Sequence, residues 1–465
     1  MTSTADQPKS SRLLVPAPLD PGFQPAVLFN RDYLASAKKS GTAVPLVIGL
    51  EREGGLLSRY ETIVDPGASA DTLRYVERII KFLLWARGGW KIHFGGPKQI
   101  GEQILKCYSA NGARAFDAEL MSRVYERPFD VSVMGPDAVP EEQEMSALLG
   151  GHLDGCRIGF DLGASDYKVA AVQNGEAVYT DEFPWDPKDQ ADPNYHYEHL
   201  TSGLKKAAAH LPRVDAIGGS SAGVIVDNKI MVASLFRAVP KERFDEAKNI
   251  FLRVRDEWKV PVEVANDGDV TALAGAMSLK ADGLLGIAMG SSQAAGYINP
   301  NGCMTGWLNE LAFAPVDYNP GAAADEWSGD NGVGALYFSQ QAVNKLLPAA
   351  DIKLPAEMGL PERLKEVQNL MSQDDARAAK IYETIGVYFG YAIAHYADFY
   401  EFDQLLVLGR VTTGNGGDVV LEKAREVLAR EFPEKADRIK LSVPDEKSRR
   451  IGQAVAAASL PVIKK

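Results

Sequence analysis

Residues 158–172, Ile-Gly-Phe-Asp-Leu-Gly-Ala-Ser-Asp-Tyr-Lys-Val-Ala-Ala-Val, set a carboxylate, a glycine, a hydroxyl and an ammonium group in close succession. Asp161 can hold a metal–phosphate complex, Gly163 lets the backbone approach it, and Ser165 can donate to a phosphate oxygen, with Lys168 in the same turn. Small residues after an Asp also make ordinary hairpin turns, so this stretch alone leaves both readings open. A second group is Val262-Glu-Val-Ala-Asn-Asp-Gly-Asp-Val270, a strand end running into a helix. There Asp267 could take the proton of a sugar hydroxyl as its oxygen attacks a γ-phosphate. Asn266 could hold the neighbouring hydroxyl and fix the angle of attack. Asp269 is expected to cap the helix, and a cap role for Asn266 and Asp267 is the blander alternative.

Three small-residue loops join them. Ala216-Ile-Gly-Gly-Ser-Ser-Ala-Gly-Val224, with Ser221 and Gly223, would let a hydroxyl-rich ligand pack on backbone N–H groups. Gly290, Ser291 and Ser292, between two strand patterns, suit the β- and γ-phosphates. Leu405-Leu-Val-Leu-Gly-Arg-Val-Thr-Thr-Gly-Asn-Gly-Gly417 is a strand opening into a turn that starts a helix. Such a turn, with Gly409 and Gly414, admits a flat adenosine and points a helix N-terminus at phosphate. Each loop alone is weak evidence, a simple Gly-rich turn being the alternative for residues 216–224; their order and spacing carry the weight.

From Cys156 onward strand and helix patterns alternate, which predicts an α/β protein with mixed sheets whose strand ends face a ligand cleft. Strands are expected at 157–172, 176–183, 216–220, 262–265, 283–289, 293–298 and 404–408. Helices are expected at 197–210, 244–257, 270–279, 336–347, 376–400 and 419–432. Before Cys156, residues 1–20 read as a disordered lead. Residues 21–134 read as an additional α/β domain, with a hairpin turning at Gly54-Gly55, helices near 71–85 and 99–108, and a strand at 90–94. Its strand content and lack of a three-helix pattern argue against a helix-turn-helix. Residues 135–155 read as a linker with one short helix. Residues 156–265 and 266–465 form the two halves of the remainder, with the last helix returning to the first half.

The 465 residues suffice for two or three domains, and 46% hydrophobic with 24% charged residues describes an ordinary globular chain. A net charge of −12 argues against nucleic acid as the main partner. Cys107, Cys156 and Cys303 are far apart and offer no metal framework, and no signal pattern or membrane-length apolar run is evident, so a cytoplasmic protein is expected. His196 and His199 lack a third ligand and read as a surface loop or helix start rather than a metal site.

Taken in order, Asp-Leu-Gly-x-Ser, Ser-Ser-Ala-Gly-Val, Ala-Asn-Asp-Gly-Asp, Gly-Ser-Ser and Leu-Gly-Arg-Val-Thr-Thr-Gly resemble the ROK family of sugar kinases and sugar-responsive repressors, over residues 156–460. The resemblance implies two ribonuclease-H-like lobes of the actin-like ATPase fold closing on ATP, Mg²⁺ and a hexose. It implies an ATP-dependent phosphotransferase with an alcohol acceptor, glucokinase-like, and leaves a homodimer open. By the same resemblance Asp267 is the catalytic base, and Asn266 and Glu310 are sugar ligands. Asp161 organises Mg²⁺, Asp161 with Gly163 and Gly290 with Ser291 are the phosphate motifs, and Gly409 with Gly414 is the adenosine loop. The chain departs from the family pattern at Phe313, where the family has His, and at Ala335, where it has a sugar-binding Glu. Residues 327–335 carry no Cys where the family has a zinc loop, so no zinc site is expected. A non-catalytic sugar or nucleotide sensor is the alternative these departures favour.

Overall fold

The computed structural model describes residues 13–144, 149–443 and 446–463. It is a mixed α/β protein with two ribonuclease-H-like lobes of the actin-like ATPase fold and an additional N-terminal α/β region.

The N-terminal region is built on β1 (Val44–Glu51), β2 (Leu57–Val64), β3 (Lys91–Gly95) and β4 (Asp130–Met134), in the order β2-β1-β3-β4. The β1–β2 hairpin turns through Gly54 and Gly55, both with positive φ, as expected from a Gly-Gly turn. The helix Ala70–Arg87 starts at Ser69, whose hydroxyl accepts from the Thr72 N–H, and most of its surface is buried. Two helices, Ala26–Ser40 and Ala115–Tyr125, were not legible in the pattern; each buries a narrow face behind charged or polar residues.

The first lobe holds β5 (Cys156–Leu162), β6 (Asp166–Gln173), β7 (Glu176–Pro184), β8 (Ala216–Ser221), a hairpin of β9 (Val224–Val226) and β10 (Lys229–Val232), and β11 (Val262–Asn266). Its five-stranded sheet runs β11-β8-β5-β6-β7, with β5, β8 and β11 parallel and β5–β6–β7 antiparallel. The second lobe holds β12 (Leu284–Met289), β13 (Gln293–Ile298), β14 (Gln404–Leu408) and β15 (Lys440–Ser442), ordered β13-β12-β14-β15. The long helices Ala376–Tyr396 and Asn415–Glu431 pack beside it, and the first carries buried aromatics into the core. The expected helix at 244–257 is two, Phe244–Lys248 and Ile250–Trp258, because Asn249 leaves helical geometry. The helix expected from Val270 begins at Asp267, and the one expected from Leu336 begins at Gln340.

The C-terminal helix Glu446–Ala458 lies on the first-lobe sheet against β5, β6 and β8, and also against the helix Asp267–Leu279. Glycine makes that approach feasible: a Cβ on Gly159 would lie 1.7 Å from the Ala454 carbonyl oxygen, and one on Gly218 1.7 Å from that of Ala457.

Two expectations are corrected. Within the supposed disordered lead, residues 13–20 are packed: Val15 and Ala17 are buried, the Leu19 N–H donates to the Thr384 hydroxyl, and the Tyr388 hydroxyl donates to Asp20. Their apolar side chains have a groove on the second lobe, which composition could not reveal. Residues 1–12 lie outside the described residues. The N-terminal region is also not closed on itself. Its core, from Phe82 and Trp85 to Phe94, is continuous with that of the second lobe, including Phe399, Tyr396 and Tyr388.

Candidate functional site

The ends of β5, β8 and β11 meet at one edge of the first sheet, where register sets Leu162, Ser221 and Asn266 side by side. Asp161 precedes that edge on β5. It is buried, accepts the Ser220 hydroxyl proton at 2.7 Å, and lies 3.9 Å from the Lys168 ammonium, its partner across the β5–β6 ladder. Ser220 was not singled out from the sequence. The parallel β5–β8 register, which pairs it with Asp161, is the signal that would have found it. Gly163 closes the turn by donating to the Asp166 carbonyl at 3.0 Å, and the exposed Ser165 hydroxyl donates to Asp166 at 3.0 Å.

Asn266 is the N-cap of the helix Asp267–Leu279. Its Oδ1 accepts from the Gly268 N–H at 2.7 Å and its Nδ2 donates to the Gly223 carbonyl at 2.7 Å. Asp267 opens the helix. Burial first, and then the Asp161 charge, push its pKa up to about 6, and burial likewise raises Asp161. The two carboxyls therefore share one electrostatic environment between the lobes. Asp269 does not cap the helix. It turns inward, accepts from the Tyr297 N–H at 3.2 Å and from Asn309 Nδ2 at 2.8 Å, and burial pushes its pKa up to about 7.

Glu310 completes the acidic group. Burial, then Asp267 and Asp269, push its pKa up to about 7. Its loop is fastened to the N-terminal region: the Asn309 and Glu310 N–H groups donate to the Ala86 and Trp85 carbonyls at 2.9 and 3.0 Å. Phe313 packs on Trp85, ring centres 4.4 Å apart. Further along, Asp330 receives both Arg78 N–H groups at 2.9 and 3.0 Å, Lys81 at 3.0 Å and Arg114 at 2.8 Å. The segment without cysteines is thus held by a buried ion network from the N-terminal region.

A cavity of about 560 Å³ starts at Asp267 and Thr271 and runs between the helix Asp267–Leu279 and β14 to Gly409, Arg410 and Thr413. Gly409 has φ 107°, and a Cβ there would sit 2.4 Å from the Met289 carbonyl oxygen, so the glycine brings this turn onto the end of β12, beside Gly290. Gly290 and Ser291 form the exposed β12–β13 turn, and Gly414 precedes the helix Asn415–Glu431. Ser221 is fully buried, so its hydroxyl is closed off from the crevice in this conformation, while Gly223 sits at φ 110° beside Asn266. His196 is buried and bonds to the Pro187 and Leu235 carbonyls, and Trp307 stacks on Tyr297 under Arg87. Among the described residues no group of three or more His, Cys, Asp and Glu could hold a metal, and no helix is long and apolar enough to cross a membrane.

No protein-family model matches the chain, and no curated protein matches its sequence. Solved structures do. A ROK hexokinase from Thermus thermophilus superposes with a TM-score of 0.52 at 15% identity, over 66% of this chain and 97% of that one. A ROK family transcriptional regulator, a homologue of the E. coli MLC protein, superposes with a TM-score of 0.54 at 18% identity, over 66% of this chain and 79% of that one. The fold is that of ROK proteins. That fold carries both sugar kinases and repressors, so likeness alone does not choose between them.

Proposed function

We propose that the protein is an ATP-dependent sugar kinase of ROK type, transferring the γ-phosphoryl group to a hydroxyl of a hexose or hexose derivative. The observation that carries this reading is Asp267, within electrostatic reach of Asp161, at one end of a cavity that reaches Gly409 and Thr413 at the other. Its volume of about 560 Å³ suits a nucleotide-sized ligand.

In this reading Asp267 takes the acceptor hydroxyl's proton as that oxygen attacks phosphorus, and its raised pKa makes it a stronger base than an exposed Asp. Asn266 and Glu310 hold the neighbouring hydroxyls, which fixes the attacking oxygen. Gly290 and Ser291, with Ser165 and Lys168, receive the phosphates, and the turn of Gly409 and Gly414 receives the adenosine. The residues present fit Mg²⁺: Asp161 keeps one oxygen that accepts no hydrogen bond, and two neighbouring carboxyls favour a cation between them. As a lone carboxylate Asp161 would hold the ion through water and phosphate, and the ion would neutralise charge on the transferring group.

The test is ADP release from ATP and Mg²⁺ across a panel of hexoses and hexosamines, with Asp267→Asn as the control. A loss of roughly 10²–10⁴-fold in kcat is expected for that variant. Unchanged turnover would dismiss Asp267 as the base. The second reading, a sensor without turnover, draws on Phe313, which packs against Trp85 where the family places a His. Calorimetric sugar binding without ADP release would select it.

A further inference from the structure

A cleft of about 490 Å³, separate from the interlobe cavity, opens between the helices Ala70–Arg87 and Lys98–Cys107 on one side and the second-lobe segments around Tyr318 and Asp330 on the other. Its charged groups divide sharply into spent and unspent. Glu77 is taken by Arg78 Nε and Arg114 Nε, and Asp330 by Arg78, Lys81 and Arg114. Asp317 accepts from the Gln24 and Asn319 N–H groups and from the Tyr337 hydroxyl.

Arg74 is different. Its guanidinium lies 4.9 Å from the Phe29 ring centre and 6.0 Å from that of Tyr318, two rings that themselves sit 5.4 Å apart, so the aromatic pair packs on one side of it. Its edge makes a single long hydrogen bond, 3.4 Å to Gln24 Oε1, and no carboxylate among the described residues lies within ion-pairing distance. The rings hold the guanidinium from one side and that single bond leaves most of its N–H groups unused, which suits it to bind a carboxylate or phosphate through two parallel bonds. A second donor stands unused in the same wall. The Tyr318 hydroxyl is buried, beside the Asn30 amide, and has no hydrogen bond of ordinary geometry.

We propose that this cleft is a binding site for a small molecule carrying a carboxylate or phosphate group, clamped by the Arg74 fork with the Tyr318 hydroxyl as second donor. Burial first, and then the neighbouring Arg78, lower the Arg74 pKa, while Asp71 and Asp317 raise it, and an arriving anion would add to the attraction that those two carboxylates supply. The second-lobe wall is continuous with the loop that carries Glu310: the Val316 and Asp317 N–H groups donate to the Gly332 carbonyl, and the Gly334 N–H donates to the Ala314 carbonyl. An occupant would therefore press on the same loop as the candidate sugar site.

The experiment is titration calorimetry on the full chain with inorganic phosphate, succinate and 3-phosphoglycerate, on the wild type, Arg74→Met and Arg74→Lys. At least one probe is expected to bind more tightly than about 10 mM, and both variants to lose at least about tenfold, since lysine keeps the charge without the fork. Which probe binds distinguishes phosphate from carboxylate recognition. Thermal melting of each variant without ligand, expected within a few degrees of the wild type, separates a lost site from a lost fold. Failure of all three probes to bind would overturn the proposal. So would equal binding by Arg74→Met, which would place the anion in the interlobe crevice. Neither outcome touches the kinase reading, because Arg74 lies outside that crevice.

Discussion

Glu310 and Asp269 are carboxyls kept where a carboxylate is costly, and that cost should be visible in the pH dependence of stability. The folded pKa of Glu310, about 7, lies above its ordinary value of 4.5. The native state then holds a proton that the unfolded chain has released, so stability from this group is complete below about pH 4.5 and is lost as pH rises through 7. Glu310→Gln should match the wild type near pH 4.5 and gain on it up to pH 7, by an amount on the order of 1–2 kcal/mol once its partial exposure is discounted. Urea unfolding at several pH values reads this directly. A constant difference at all pH values would mean that Glu310 titrates normally. Asp161 and Asp267 stood out as candidates from residue type and loop context. Ser220 and the inward turn of Asp269 were not, because each depends on a partner far along the chain, Asp161 across a parallel ladder and Asn309 from the second lobe.

Among the elements, the two lobes read clearly from alternating patterns, since β5, β8, β12 and β14 are short apolar runs that end in glycine or small polar residues. The helix Leu360–Ser372 was missed because only Leu364 and Val367 are buried along it, leaving almost no periodic signal. The docking of the C-terminal helix rests on bare backbone. Gly159→Ala would push a methyl group to 1.7 Å from the Ala454 carbonyl, so the helix must move off the sheet. A loss of about 3 kcal/mol or more is expected, at the upper end of the usual overpacking range, read as a lower denaturant midpoint. At the other lobe, Gly409→Ala adds both a left-handed φ penalty and a contact of 2.4 Å with Met289, and so should displace the turn proposed to receive the adenosine. Under the kinase reading the KM for ATP rises at least about tenfold while that for the sugar changes little. Equal changes in both would count against an adenosine role for this turn.

For the molecule as a whole, the N-terminal region is structural support for both lobes. Its helix Ala115–Tyr125 packs on the β9–β10 hairpin, Glu126 pairs with Lys248 of the first lobe, and the network on Asp330 ties it to the second. Asp330→Ala would leave Arg78, Lys81 and Arg114 sharing only Glu77 and Asp117, at a cost of about 3–5 kcal/mol. Adding Lys81→Met, which removes one stranded buried cation, should restore part of that loss in a chemical-denaturation series. A double variant no more stable than Asp330→Ala would show that Lys81 is compensated elsewhere.

Local signals in the chain were enough to specify the strand–turn–helix units and the residues at their ends, because periodicity and turn chemistry act over a few positions. Three outcomes needed the folded state: the burial of Ser221, the packing of Phe313 on Trp85, and the buried ion network on Asp330. Each arises where segments distant in the chain bury surface against one another, and burial changes the energy of a charge or a hydroxyl only once both sides are in place.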